Sequence, residues 1–169
     1  MNKALIFIFF LFSIGSSANN NEHSTSEKAV TLKTTTDPYR VELQISKIDN
    51  ENYSFSIAIE LDNGCYIISP FSNDTTYGHL EISYDRTDHL VVNDLLERPG
   101  SVEEFDPIVG ESVRFVKEDT TYEQQLKVLT SNDFELKGSI WFVLEPRCTP
   151  EEVNFIISYN AGEMRVRKA

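Results

Sequence analysis

The sequence predicts an all-β protein, because apolar and polar side chains alternate in one run after another from Val30 onward. Every second side chain of a strand lies on the same face, so a period of two indicates a half-buried strand. After the N-terminal residues, no stretch keeps the i, i+3, i+4 apolar spacing of a helix over three turns. About eight such strands in ~125 residues favour an immunoglobulin-like antiparallel β-sandwich, with a small barrel as the alternative.

Six runs carry the alternation most clearly, and polar segments separate them. The apolar faces of these runs are, in chain order, Val41/Leu43/Ile45, Tyr53/Phe55/Ile57/Ile59/Leu61, Leu80/Ile82/Tyr84, Tyr122/Leu126/Val128, Phe134/Leu136/Ile140/Phe142 and Val153/Phe155/Ile157/Tyr159. The segments 49–52, 62–64 and 131–133 are rich in Asp, Asn and Gly. These residues tolerate the backbone angles of tight turns, so hairpins are expected there.

The first 18 residues have the pattern of a secretory signal peptide. Lys3 supplies the positive charge, residues 4–14 form an apolar run, and Ser16 and Ala18 are the small residues before a cut after Ala18. The run is short for a hydrocarbon core of ~30 Å, although an uncleaved anchor is the alternative. Residues 19–29 are polar and aperiodic, which predicts a disordered spacer. Residues 30–169 then form one β-sandwich domain of a periplasmic or secreted protein.

The acidic balance of the chain excludes some partners. Its formal net charge is −12 at pH 7, which disfavours nucleic acid and anionic lipid as partners. No segment after the signal peptide is long and apolar enough for the mature chain to insert into a membrane. Glycine-rich phosphate loops, nucleophile elbows and metal-ligand spacings are absent from the sequence. The sequence therefore predicts no cofactor and no metal site.

The stretch from Leu90 to Val109 breaks the alternation. It contains Pro99, Gly100 and Pro107, and the segment 97–106 is strongly acidic. A long loop of this kind is either functional or a solvated crossover between sheets. Its acidic residues lack the alternating ligand spacing of an EF-hand, so calcium binding is not expected.

Three segments, in chain order, carry motifs of one known family. They are residues 62–70 (DNGCYIISP), residues 104–115 (EFDPIVGESVRF), and residues 137–142 (KGSIWF) continued by residues 148–155 (CTPEEVNF). In these motifs the chain resembles the N-terminal periplasmic domain of the thiol:disulfide interchange protein DsbD, the disulfide bond corrector domain, in its Bacteroidetes-type form. The resemblance implies an immunoglobulin-like fold with two cysteines on adjacent strand ends. These cysteines would pass electrons from the membrane part of the system to periplasmic partners through mixed disulfides.

The two cysteines of this chain depart from that pattern. Cys148 matches the second cysteine of the family, but the first is missing from residues 143–145, where the resemblance would place it. Cys65 lies far away in the sequence, where the family commonly has an aromatic residue. A Cys65–Cys148 bridge would need Cα atoms within about 7 Å. Alternatively, Cys148 is a lone reactive thiol whose thiolate Arg147 stabilises, or both thiols are inert and Cys65 is a small buried hydrophobe.

These observations favour a protein-interaction module of a periplasmic thiol–disulfide system, with a degenerate redox site. Its expected partner is a periplasmic thioredoxin-like or membrane redox protein. The alternative is an active thiol–disulfide carrier, an oxidoreductase that uses Cys148 together with Cys65 or with a cysteine of the partner.

Overall fold

The computed structural model describes residues 30–32, 37–73 and 76–169, which form twelve β-strands. The predicted signal peptide (1–18) and spacer (19–29) lie outside the described residues and stay predictions. Within the described part of the chain, no helix has the length and apolarity needed to cross a membrane. The strands are β1 (Val30–Leu32), β2 (Tyr39–Lys47), β3 (Asn52–Leu61), β4 (Ile67–Ile68), β5 (Glu81–Tyr84), β6 (Leu90–Arg98), β7 (Val102–Asp106), β8 (Glu111–Val116), β9 (Thr120–Val128), β10 (Phe134–Leu144), β11 (Thr149–Asn160) and β12 (Glu163–Lys168).

The strands form two main antiparallel sheets and a smaller third one. The five-stranded sheet has the order β1-β2-β3-β9-β6, and the four-stranded sheet has the order β12-β11-β10-β5. The third sheet has the order β4-β8-β7 and its own small core of Ile68, Val113 and Phe115. The predicted all-β sandwich with antiparallel strands is therefore confirmed.

Aromatic side chains from the two main sheets meet in the core. Phe55 of β3 packs against Phe155 of β11 with ring centroids 5.3 Å apart, and both residues are fully buried. Each lies on the apolar face of a run that the period of two predicts. Because successive side chains of a strand alternate in direction, one face of each sheet supplies the core and the other meets solvent.

The prediction of a long loop at Leu90–Val109 is wrong, because this stretch contains the two strands β6 and β7. β6 pairs with β9, and β7 pairs with β8, so the chain passes from one sheet to another between them. The register of β6 shifts between Val92 and Leu95, which interrupts the alternation of its side chains. β7 is exposed along most of its length and therefore has no apolar period to read.

The four acidic residues of segment 97–106 make contacts within or next to the third sheet. Glu97 accepts from Ser69 Oγ at 2.8 Å and from the Ser101 N–H at 2.7 Å, and Asp106 accepts from Tyr77 Oη at 2.9 Å. Glu103 pairs with Arg114 at 3.3 Å, and Glu104 pairs with Lys117 at 2.6 Å. These contacts account for the acidic segment as part of the fold.

Gly138 marks the closest approach of β10 to its neighbours. A Cβ atom placed there would lie 2.3 Å from Cζ of Phe155 and 2.8 Å from the backbone oxygen of Ser83. A glycine inside a strand often marks such a contact, since no other residue leaves room for it. The missing side chain at Gly138 therefore lets the Phe155 ring lie across the centre of the sandwich.

Replacing Gly138 with Ala should destabilise the protein by about 1–3 kcal/mol, because the added methyl group overfills this contact. Urea denaturation followed by fluorescence would measure the free energy of unfolding. Gly100→Ala is the matched control, since a Cβ there meets no heavy atom within 4 Å. Equal stability of the Gly138→Ala variant and the control would contradict the packing described for Phe155.

Candidate functional site

Cys148 lies at the tip of the hairpin formed by β10 and β11. The two strands pair over eleven consecutive residue pairs, and the ladder closes at Leu144 and Thr149. The four residues between them form the tip, in which Pro146 has no N–H to continue the ladder. Cys148 is exposed and has a φ of 51°, a left-handed conformation that few non-glycine residues adopt. The fold thus presents one thiol on a tight turn at the end of a long ribbon.

The carboxylate of Glu145 contacts this thiol directly. Cys148 donates from Sγ to Glu145 Oε2 at 3.2 Å and from its backbone N–H to the same oxygen at 3.3 Å. Glu145 is itself only 6% exposed. Its backbone N–H and carbonyl pair with Tyr66 at 2.9 and 3.1 Å. The neighbouring chain segment therefore fixes the Glu145 backbone, and the carboxylate faces the sulfur atom.

The negative charge beside Cys148 controls its chemistry. The pKa of the Cys148 thiol is raised above its usual value, first by the hydrogen bond to Glu145, then by the charge of that carboxylate and by burial. The idea that Arg147 lowers the pKa of the thiol is wrong. The Arg147 guanidinium pairs instead with Glu151 at 2.8 Å, so its charge is directed to the start of β11.

A chain of polar contacts connects the tip to the opposite sheet. Glu151, which binds Arg147, also accepts from Tyr39 Oη at 3.0 Å. Burial raises the pKa of Tyr39, and the bond to the Glu151 carboxylate raises it further. The Tyr39 ring packs edge-on against Phe142, with centroids 5.1 Å apart. Tyr39 begins β2 of the five-stranded sheet, so the tip is supported from both sheets.

Cys65 lies at the same end of the sandwich as Cys148. It follows the predicted turn at residues 62–64, and its N–H donates to the Asp62 carbonyl at 3.0 Å. The next residue, Tyr66, forms an antiparallel bridge with Glu145, so Cys65 runs alongside the segment that leads to Cys148. The Cys65 side chain is half-buried and packs against the main core, and both cysteines are free thiols.

Sequence reasoning identified the two cysteines but missed the groups that surround them. Glu145 lies outside the quoted motifs, and Tyr66, although it lies within residues 62–70, is far from Glu145 along the chain. One signal was available. Glu145 follows the apolar end of β10 directly and precedes a proline, and a carboxylate next to a buried strand end requires a hydrogen-bond donor.

The described residues hold no group of three or more His, Cys, Asp or Glu side chains that could bind a metal ion. His89 instead packs its ring on Phe134, with centroids 5.2 Å apart.

Solved structures share the fold. The crystal structure of the N-terminal periplasmic domain of ScsB from Proteus mirabilis matches 82% of this chain with a TM-score of 0.56 and 13% sequence identity. This chain spans about half, 53%, of that ScsB chain. The GAE domains of yeast GGA1 and of GGA2p from Saccharomyces cerevisiae match 79% of this chain and 99% of their own, at 8% and 12% identity. Their TM-scores of 0.44 are too low to carry an argument. The sequence matches no protein-family model and no curated protein, so these similarities establish the fold alone.

Replacing Arg147 with Gln should leave the pH midpoint of Cys148 alkylation unchanged, because the guanidinium charge is taken up by Glu151. Mass spectrometry of the peptide that contains Cys148 would give the carbamidomethylation rate across neutral and alkaline pH. Lys168→Gln removes a positive charge near the C-terminus and is the matched control. A clear rise in the midpoint for Arg147→Gln alone would show that Arg147 stabilises the thiolate.

Proposed function

We propose that this chain is an exported interaction module of a periplasmic thiol–disulfide system, with a degenerate redox site. In this proposal residues 1–18 direct export and are removed. The mature domain then binds a periplasmic thioredoxin-like or membrane redox protein. The observation that carries the proposal is the exposed Cys148 thiol at the hairpin tip, on a sandwich with the fold of the ScsB N-terminal periplasmic domain.

The support of the tip favours docking. Three contacts fix the tip: the β10–β11 ladder, the Tyr66–Glu145 bridge and the Arg147–Glu151 ion pair. A surface that is ordered before binding loses little conformational entropy when a partner contacts it. The sulfur atom is thus offered to a partner in one arrangement.

The state of the thiol favours binding over rapid exchange. The thiolate is the nucleophile in disulfide exchange, and the raised pKa of Cys148 leaves little thiolate at neutral pH. The tip has the sequence Glu145-Pro146-Arg147-Cys148, with no second cysteine to release a mixed disulfide from within the turn. A partner bound through Cys148 would therefore stay bound until another thiol releases it.

A trapping experiment tests this proposal. A purified thioredoxin-type protein whose resolving cysteine is replaced by serine, once activated as a mixed disulfide with a nitrobenzoate thiol, should form a stable one-to-one disulfide with the wild-type domain. Cys148→Ser should abolish this product, and Cys65→Ser, the matched control, should retain it. Non-reducing electrophoresis and mass spectrometry would identify the linked cysteine. Multiple-turnover reduction of a disulfide substrate by the wild-type domain would contradict a degenerate site.

The second candidate function is a two-cysteine carrier, and the Tyr66–Glu145 bridge favours it because it brings Cys65 beside the tip. In such a carrier the Cys148 thiolate attacks a partner disulfide, forms a mixed disulfide and releases one partner thiolate. The Cys65 thiolate then attacks the Cys148 sulfur and releases the second partner thiolate. Two electrons pass to the partner, the partner thiolates take up the two protons that the cysteines lost, and the domain keeps a Cys65–Cys148 disulfide.

A count of free thiols separates the two functions. After oxidation by glutathione disulfide, the interaction module should keep Cys65 free in the monomer, because that side chain packs against the core. Alkylation before and after unfolding, followed by mass spectrometry, gives the count for each cysteine. A monomer without free thiols and without bound glutathione would instead favour the carrier.

A further inference from the structure

We infer that Glu145 is the positioning residue that keeps the Cys148 thiol protonated and oriented in the resting domain, and so suppresses its reaction with small disulfides in solution. The inference concerns the Cys148 thiol of the isolated domain. Only the biological purpose of a protonated thiol rests on the proposed function. The inference assigns a role to a residue that contacts Cys148, pairs with the neighbour of Cys65 and lies outside the sequence motifs.

Geometry is the first support. A single carboxylate oxygen of Glu145 accepts both the Sγ–H and the backbone N–H of Cys148, at 3.2 and 3.3 Å. Two bonds to one atom, from the side chain and from the backbone of the same residue, fix the rotation of the thiol about its Cα–Cβ bond. The sulfur must give up one of these contacts when it attacks, because a thiolate has no hydrogen to donate.

Burial is the second support. Glu145 is 6% exposed, and its backbone N–H and carbonyl both bond to Tyr66, so the carboxylate extends from a fixed backbone in a buried position. A buried carboxylate is costly unless donors satisfy it. In the described structure Cys148 supplies its hydrogen bonds, from N–H and from Sγ. The carboxylate therefore favours the protonated thiol and disfavours a second negative charge in its place.

The other charged groups around Cys148 do not offset Glu145. Arg147 is engaged with Glu151, and Lys117, at the end of the third sheet, pairs with Glu104 at 2.6 Å. The Tyr66 phenol is neutral at physiological pH, since burial first and then the charge of Glu145 raise its pKa. The raised pKa of the Cys148 thiol has the same origin, with the Glu145 hydrogen bond as its largest cause.

The deciding variant is Glu145→Gln, which keeps the size and one acceptor oxygen of the side chain but removes its charge. The pH midpoint of Cys148 alkylation by iodoacetamide should fall. For each pKa unit of that fall the thiolate fraction at neutral pH rises about tenfold, and the lower nucleophilicity reduces the net gain in rate to about threefold. The rate of mixed-disulfide formation with glutathione disulfide should rise in the same direction. A merely structural role of Glu145 would not move the midpoint in this direction.

Glu152→Gln is the matched control, because it removes the same charge from an exposed neighbour at the same end of the domain. An unchanged midpoint in Glu145→Gln, or an equal fall in Glu152→Gln, would overturn the inference. If Glu145→Gln does not fold, the thiolate absorbance of the Cys65→Ser domain gives the Cys148 pKa directly. A value at or below about 8.5, that of an ordinary cysteine, would overturn the inference equally.

Failure of the proposed function is distinguishable from failure of this inference. The alkylation midpoint and the thiolate absorbance are both measured on the domain alone. They do not depend on whether a thioredoxin-type partner is captured. Failure to trap the partner, together with the expected fall of the alkylation midpoint in Glu145→Gln, would refute only the interaction module. Normal trapping with an unshifted Glu145→Gln profile would refute only the role of Glu145.

Discussion

The β10–β11 ladder connects the core of the sandwich to its exposed thiol. Its central part contributes Phe155, whose ring lies over Gly138 and reaches Phe55 of the opposite sheet. Its closed end presents Cys148 on a four-residue tip. The same hydrogen-bonded ribbon therefore runs from the centre of the core to the tip that carries the sulfur. Protein interiors are close-packed and deform little, so long paired strands keep the tip at a fixed position relative to the core.

The third sheet completes the support of the tip. Tyr66 pairs with Glu145, and the strand that follows it, β4, pairs with β8. The Tyr66 ring packs edge-on against Phe115, with centroids 5.5 Å apart. The acidic residues of the β6–β7 region hold this sheet through hydrogen bonds and ion pairs. The three-stranded sheet therefore acts as a brace for the segment that contacts the thiol.

The charged groups at the tip disfavour the thiolate form of Cys148. A reactive cysteine usually lies beside a positive charge or at a helix N-terminus, where the thiolate is favoured. Here the neighbouring group is a buried carboxylate, and the guanidinium of Arg147, adjacent to Cys148 in sequence, pairs with Glu151. Hydrogen bonding and charge therefore both favour the protonated thiol.

The period of two in the sequence was enough to predict strands that have one buried face, among them β2, β3, β9, β10 and β11. The turn at residues 62–64 could also be predicted, because Asp, Asn and Gly tolerate the backbone angles of tight turns. These features are local, so neighbouring residues decide them. β7 could not be predicted in this way, since it is exposed along most of its length and depends on pairing with β8.

Only the tertiary structure decided the chemistry of the site. Cys65 and Cys148 lie at one end of the sandwich because Tyr66 pairs with Glu145, a contact between segments that are distant in the chain. Arg147 is next to Cys148 in sequence, yet it binds Glu151, whereas Glu145 reaches back to the thiol. Adjacency in sequence suggested the wrong sign for the charge beside the sulfur. The direction of each side chain depends on the turn geometry and on cross-strand partners, and no residue pattern records these.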